Sequence, residues 1–217
     1  MRRLLAVVSV LLVLYATAPP AAAAPIDTWA YQPATHQLVG GNGTLPFSIQ
    51  GGATWYAPDG TAAIQFTTAP SLATSTGTGF YAPGTADFTY QAVMSMDRLR
   101  SRSTPNVFQL GLYNGPQIKL QLSQTGVPTC VLHGTGGRIK LTSATPSLND
   151  GGRQHTFACW RTGGTVGVTV DGVTTSKVFA LGNVTPTGHA TAGNRSSTGG
   201  AADQLFGKIW QLSVSIG

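Results

Sequence analysis

Apolar residues recur at every second position through most of this chain, and the runs are cut by Gly, Pro, Asn and Asp. Successive side chains on a strand point to opposite sides, so this pattern marks strands that bury one face. In residues 87–96, Phe88, Tyr90, Ala92, Met94 and Met96 share a face. In residues 107–113 the set is Phe108, Leu110 and Leu112, and in residues 118–123 it is Ile118, Leu120 and Leu122. Asn114-Gly115-Pro116 supplies the turn between those two strands. Cys130 pairs with Leu132 on one face, and Ile139 with Leu141. Residues 153–162 place His155, Phe157 and Cys159 together. Residues 165–170 follow with Val166, Val168 and Val170 inside, then turn at Asp171-Gly172, a strong hairpin signal. Residues 208–216 are read as the last strand, with Trp210, Leu212, Val214 and Ile216 on one face. The expected class is all-β, an antiparallel β-sandwich or jelly roll.

Composition agrees with this reading and narrows the chemistry. Only 9 % of the 217 residues are charged, 28 are Gly, and 41 % are hydrophobic, too many for a disordered chain. All seven acidic residues are Asp, at positions 27, 59, 87, 97, 150, 171 and 203, and there is no Glu. Surface polarity comes instead from Thr, Ser, Gly and Gln, which suits strands better than helices. A helical bundle is excluded, as is any hydrolase that needs a pair of glutamates.

Residues 1–23 read as a secretory signal peptide: Arg2-Arg3, an apolar run from Leu4 to Ala16, and small residues Ala21 and Ala23 before the cut. The apolar run is shorter than the roughly 20 residues that span a bilayer, so no membrane span is expected after cleavage. Residues 24–217 are expected to form a single domain, secreted or extracellular, with 11 basic and 7 acidic residues. In an exported chain two Cys favour a disulfide, and Cys130 and Cys159 both fall on inward strand faces.

The order of local features has a likeness. Asn149-Asp150-Gly151-Gly152-Arg153-Gln154-His155-Thr156-Phe157 leads into Cys159-Trp160-Arg161, then Gly163-Gly164, a strand, and Asp171-Gly172-Val173. Ala63-Ile64-Gln65-Phe66, Asp87-Phe88-Thr89, Ala192-Gly193-Asn194-Arg195 and Phe206-Gly207-Lys208-Ile209 fall where companion strands belong. Over roughly residues 28–217 this resembles the laminin-G-like domains of the concanavalin A-like lectin/glucanase superfamily, in the form found in secreted bacterial proteins. One departure is Gln154, where that pattern carries Trp; Trp160 is the nearby residue with comparable bulk. The resemblance implies a concanavalin A-like jelly roll.

Glucanases of the superfamily use paired glutamates, and a pair of carboxylates at fixed separation is what glycoside hydrolysis requires. With no Glu and no Asp pair on one strand face, that mechanism has no residues here. There is no G-x-S-x-G elbow and no recognisable triad. His155 is read as a strand residue that fixes a loop through hydrogen bonds. The resemblance also implies a structural Ca²⁺ as the one candidate cofactor. Asp59, Asp150 and Asp203, in Gly-rich or polar loops, are its candidate ligands, with turn formation the competing role.

Binding remains. Gln91, Gln109, Tyr113, Lys119, Gln121, Arg138 and Lys140 alternate with the core set and form a polar, mildly basic face. Amides donate to and accept from sugar hydroxyls, cations attract acidic polysaccharide, and Tyr113 offers a ring for stacking. The competing reading is the ordinary solvent side of an antiparallel sheet. Loop aromatics Trp55, Tyr56 and Tyr81 are a second candidate set, with Phe80 beside Tyr81, and core plugging is their alternative role. Arg98, Arg100 and Arg102 form one basic cluster that suits sulfate, phosphate or carboxylate groups. No nucleic-acid recognition motif is present. The expected function is therefore a secreted, non-catalytic carbohydrate-binding domain whose partner is a glycan or cell-surface polysaccharide, anionic ones included. The alternatives are an extracellular protein-interaction or adhesion module and an Asp-based polysaccharide hydrolase or lyase.

Overall fold

Alternation of large apolar and polar residues, punctuated by glycine turns, produces fourteen antiparallel strands among the described residues. The computed structural model describes residues 27–32, 37–41, 46–56, 62–75, 81–196 and 203–217; the expected signal peptide lies outside them. In chain order the first seven strands are β1 Asp27–Gln32, β2 Gln37–Gly40, β3 Phe47–Tyr56, β4 Ala63–Ser75, β5 Phe88–Met96, β6 Asn106–Leu110 and β7 Gln117–Leu122. The rest are β8 Pro128–Gly134, β9 Gly137–Thr142, β10 His155–Thr162, β11 Thr165–Val170, β12 Val173–Val178, β13 Ala190–Ala192 and β14 Gly207–Ile216.

Two layers result. They come from one hydrogen-bonded sheet that folds over itself: β12-β11-β10-β5-β14-β1-β2 make one layer, and β3-β4-β13-β6-β7-β8-β9, joined to it by the β2–β3 and β14–β4 pairings, make the other. The long β3–β4 hairpin belongs to both. Residues 64–66 of β4 pair with β14, whereas residues 73–74 pair with β13. The hairpin changes layer at a bulge between Gly51 and Ala53. Gly51 has φ +71°, and a Cβ there would lie 2.0 Å from the Pro70 carbonyl oxygen, so only glycine fits the bend.

The core lies between the layers. Phe88, Tyr90, Ala92, Met94 and Met96 of β5 face Leu110, Ile118, Leu120 and Leu132 from the second layer, all in one buried cluster. Cys130 on β8 and Cys159 on β10 form a disulfide that ties the layers together, their Cα atoms 5.6 Å apart. Asp171 (φ +48°) and Gly172 (φ +82°) make the tight β11–β12 turn.

Two expected inward faces are corrected. Leu112 is 65 % exposed, because β6 ends at Leu110 and Gly111 (φ +92°) turns the chain away. In β14 a bulge between Ile209 and Gln211 shifts the alternation. Ile209 therefore enters the core with Leu212 and Val214, and Trp210 does not. Trp160, the expected substitute for bulk near Gln154, lies across the adjacent strand instead: its Nε1 donates to Thr169 Oγ1 at 3.0 Å, and its ring occupies the space above Gly167.

Candidate functional site

The sequence supplies polar residues opposite the core set on β6 to β9, and strand register brings them into line. Gln109 pairs with Lys119, Lys119 with Val131, and Val131 with Lys140. Directly paired residues project from the same face of a sheet. These four therefore form a row across four strands on the outer face of the second layer. Gln121 and Arg138 flank the row on β7 and β9.

The face is concave. A cavity of about 360 Å³ is lined by Gln109, Tyr113, Lys119, Gln121, Arg138 and Lys140, together with Thr104, Val131, Arg195 and Asp203. Six of the seven expected strand-face residues thus meet in one place. Gln91 does not. It lies on β5 in the opposite layer, paired with Ala158 and Ser213, because alternation along a strand does not say which sheet the strand joins.

The cavity is electropositive. Lys119 at its floor is only 9 % exposed. Burial pushes its ammonium down to about 8, with Arg195, Arg138 and Lys140 adding to the effect and Asp203 opposing it. Asp203, the sole carboxylate among the described lining residues, is held by Arg195 at 2.9 Å. Arg138 stacks on Tyr113, its guanidinium carbon 4.6 Å from the ring centroid, which holds both side chains at the rim.

Arg195 and Asp203 are placed by a buried amide network. Gln204 Oε1 accepts from the Ser71 amide at 2.8 Å and from Asn194 Nδ2 at 3.0 Å. Its Nε2 donates to the carbonyls of Ser71, Gly193 and Leu205 at 2.8–3.0 Å. Asn194 Oδ1 accepts from the Arg195 amide at 2.8 Å, and Asn106 donates to the Asn194 carbonyl at 2.9 Å. Arg195 and Thr104 carry no local sequence signal for this role. Val131 does, since it alternates with Cys130 and Leu132.

The other candidates lie elsewhere. Tyr81 is half-buried, packed on the core with its ring 6.1 Å from that of Trp29, and its carbonyl accepts from Tyr90 Oη. Trp55 and Tyr56 belong to the end of β3, but their side chains, like Phe80 and Asp59, fall outside the described residues. Asp150 and Asp203 serve different clusters. Asp150 bonds His155 Nε2 at 3.0 Å, and Asp171 bonds His155 Nδ1 at 2.6 Å. Asp171 also takes the Thr156 amide at 2.8 Å. Burial alone would raise the Asp171 carboxyl; the hydrogen bonds from His155 and Thr156 and the charges of His155 and Arg153 outweigh it and hold it below its ordinary value. His155 thus ties the loop before β10 to the β11–β12 turn. Arg98 and Arg100 lie over the Phe206 ring, 4.5 and 5.6 Å from its centroid, away from the cavity lining.

No family model matches the chain, and no curated protein does. Solved structures do. Domain 4 of a GH43 extracellular arabinanase from Geobacillus stearothermophilus, in complex with arabinotriose, superposes at TM-score 0.65 with 13 % identity, over 91 % of this chain and 94 % of that one. The binding domain of botulinum neurotoxin DC, in complex with SialylT, gives TM-score 0.63 at 9 % identity, covering 88 % of this chain and 47 % of that one. Domains LG4-5 of the mouse laminin alpha1 chain give 0.54 at 14 % identity, covering 75 % and 41 %. The chain spans less than half the length of the toxin and laminin chains. The fold is a laminin-G-like jelly roll.

Proposed function

We propose that this chain is a secreted, non-catalytic carbohydrate-binding domain that takes acidic glycans in the concave cavity of the second layer. The observation that carries the reading is the convergence of Lys119, Arg138, Lys140 and Arg195 with Gln109 and Gln121 around one cavity that has a single carboxylate among the described residues. One buried lysine and three exposed cations around a concave site attract carboxylate or sulfate groups, and the Gln amides complement ring hydroxyls. Tyr113, exposed at the rim beside Arg138, offers an apolar face to a sugar ring. Likeness to a domain solved with arabinotriose supports the ligand class. Binding is favoured over cleavage because hydrolysis needs two carboxyl groups flanking the bond, and Asp203 stands there with Arg195 as its partner. The expected signal peptide supports export.

Calorimetric titration with glucuronate-containing and neutral oligosaccharides tests the proposal. Binding of the acidic set, weakened at least tenfold in Lys140→Ala, is the expected result. Equal affinity for neutral and acidic sugars, or no binding of either, contradicts it.

A further inference from the structure

The row of paired residues continues beyond the basic cavity. Gln109 pairs with Thr191 on β13, Thr191 with Thr74 on β4, and Thr74 with Ser48 on β3. From Ser48 to Lys140 the row crosses seven strands without a break, a span of about 29 Å at the usual spacing between strands. Its chemistry changes along the way. The β3, β4 and β13 end carries hydroxyls, Gln109 carries an amide, and the β7 to β9 end carries the lysines.

A second cavity of about 570 Å³ lies over the hydroxyl end, lined in part by Ser48, Gln50, Thr74, Thr191 and Leu112. No lysine or carboxylate lines it among the described residues. Arg195 lines both cavities and stands on the boundary between them, fixed by Asp203. Thr191 Oγ1 is buried with no hydrogen-bond partner among the described residues. Hydroxyl and amide groups beside an exposed leucine suit uncharged sugars, which present hydroxyls at their edges and C–H groups on their faces.

We infer that the ligand is a linear glycan of mixed charge lying across the strands. An acidic unit occupies the basic cavity, and a run of neutral sugars occupies the second cavity. This deepens the reading above and rests on it. The neutral run is where chain length is sensed: each sugar that reaches the hydroxyl row adds hydrogen bonds that a short acidic fragment lacks.

The test uses two probes, glucuronosyl-xylose and glucuronosyl-xylotetraose, titrated into the full chain and into a Ser48→Ala/Gln50→Ala double variant. Both positions are solvent-accessible, so the variant keeps its fold. The longer probe is expected to bind about tenfold or more tightly than the shorter, the worth of two net hydrogen bonds. The double variant is expected to lose that gain while binding the short probe as the parent chain does. Equal affinity for the two probes, or a length gain untouched by the double variant, overturns the inference and leaves the basic-cavity reading standing. Failure of both probes to bind overturns the basic-cavity reading itself.

Discussion

Lys119 concentrates the electrostatics of the cavity in one side chain. Its ammonium is pushed down to about 8 by burial and by three neighbouring cations, against an ordinary value near 10.5. The unfolded chain therefore holds the extra proton between those values, and stability rises as the pH climbs from about 8 to about 10.5. On the proposed reading ligand binding runs the other way: an acidic glycan needs the charged form, so its affinity is expected to fall as the pH passes about 8. Titrations at pH 6 and pH 9 are expected to differ in the parent chain and to converge in Lys119→Met. Asp171 gives the opposite signature. Its lowered carboxyl contributes stability that is fully present above the ordinary carboxylate value and is lost as the pH falls from there through the lowered value of the folded state; Asp171→Asn is expected to flatten the acid limb of urea unfolding. Gln204 matters through geometry alone. It is fully buried and makes five hydrogen bonds, and Gln204→Leu leaves their backbone partners unsatisfied. A loss of about 3 kcal/mol in urea unfolding is expected, together with weaker acidic binding as Arg195 loosens. The alternation of Lys119, Gln121 and Lys140 with core residues was readable along each strand. Arg195 was not, because its place depends on Asp203 and on the Asn194–Gln204 network, across a segment with no periodic pattern.

Strands show the same division. Alternation located β5, β7, β10 and β11 and placed Cys130 and Cys159 on facing sides. It misplaced Trp210 because a bulge at that residue puts Ile209 before it on the same face as Leu212 and Val214 after it, and bulges have no marker in this stretch. It also put Gln91 with the cavity residues, since strands of both layers read alike until their partners are known. The inter-layer disulfide closes a separation of 29 residues, and Cys130→Ala/Cys159→Ala is expected to lower stability by about 3–4 kcal/mol in the chain-entropy picture. On the outer face of β10 and β11, a Cβ at residue 167 would come within 2.1 Å of the Trp160 ring. Gly167→Ala is expected to cost about 1–3 kcal/mol and to shift the tryptophan emission as the indole is displaced.

At the scale of the molecule, the fold assigns different work to its two layers. The first layer supplies the closing strands β14 and β1 and, with the second, the shared core. The second layer turns a polar row outward over two cavities of different character, one lined by lysines and one by hydroxyls, with Arg195 lining both. Every acidic residue of the chain is an Asp, and among the described residues only Asp203 lines the basic cavity. The most direct measurement is an amide chemical-shift titration of the ¹⁵N-labelled chain with glucuronosyl-xylose. Shifts centred on Gln109, Lys119, Gln121, Val131 and Lys140 are the predicted result. Shifts confined to residues 98–102 or to β12, or a spectrum that does not respond, would contradict a glycan site on this face.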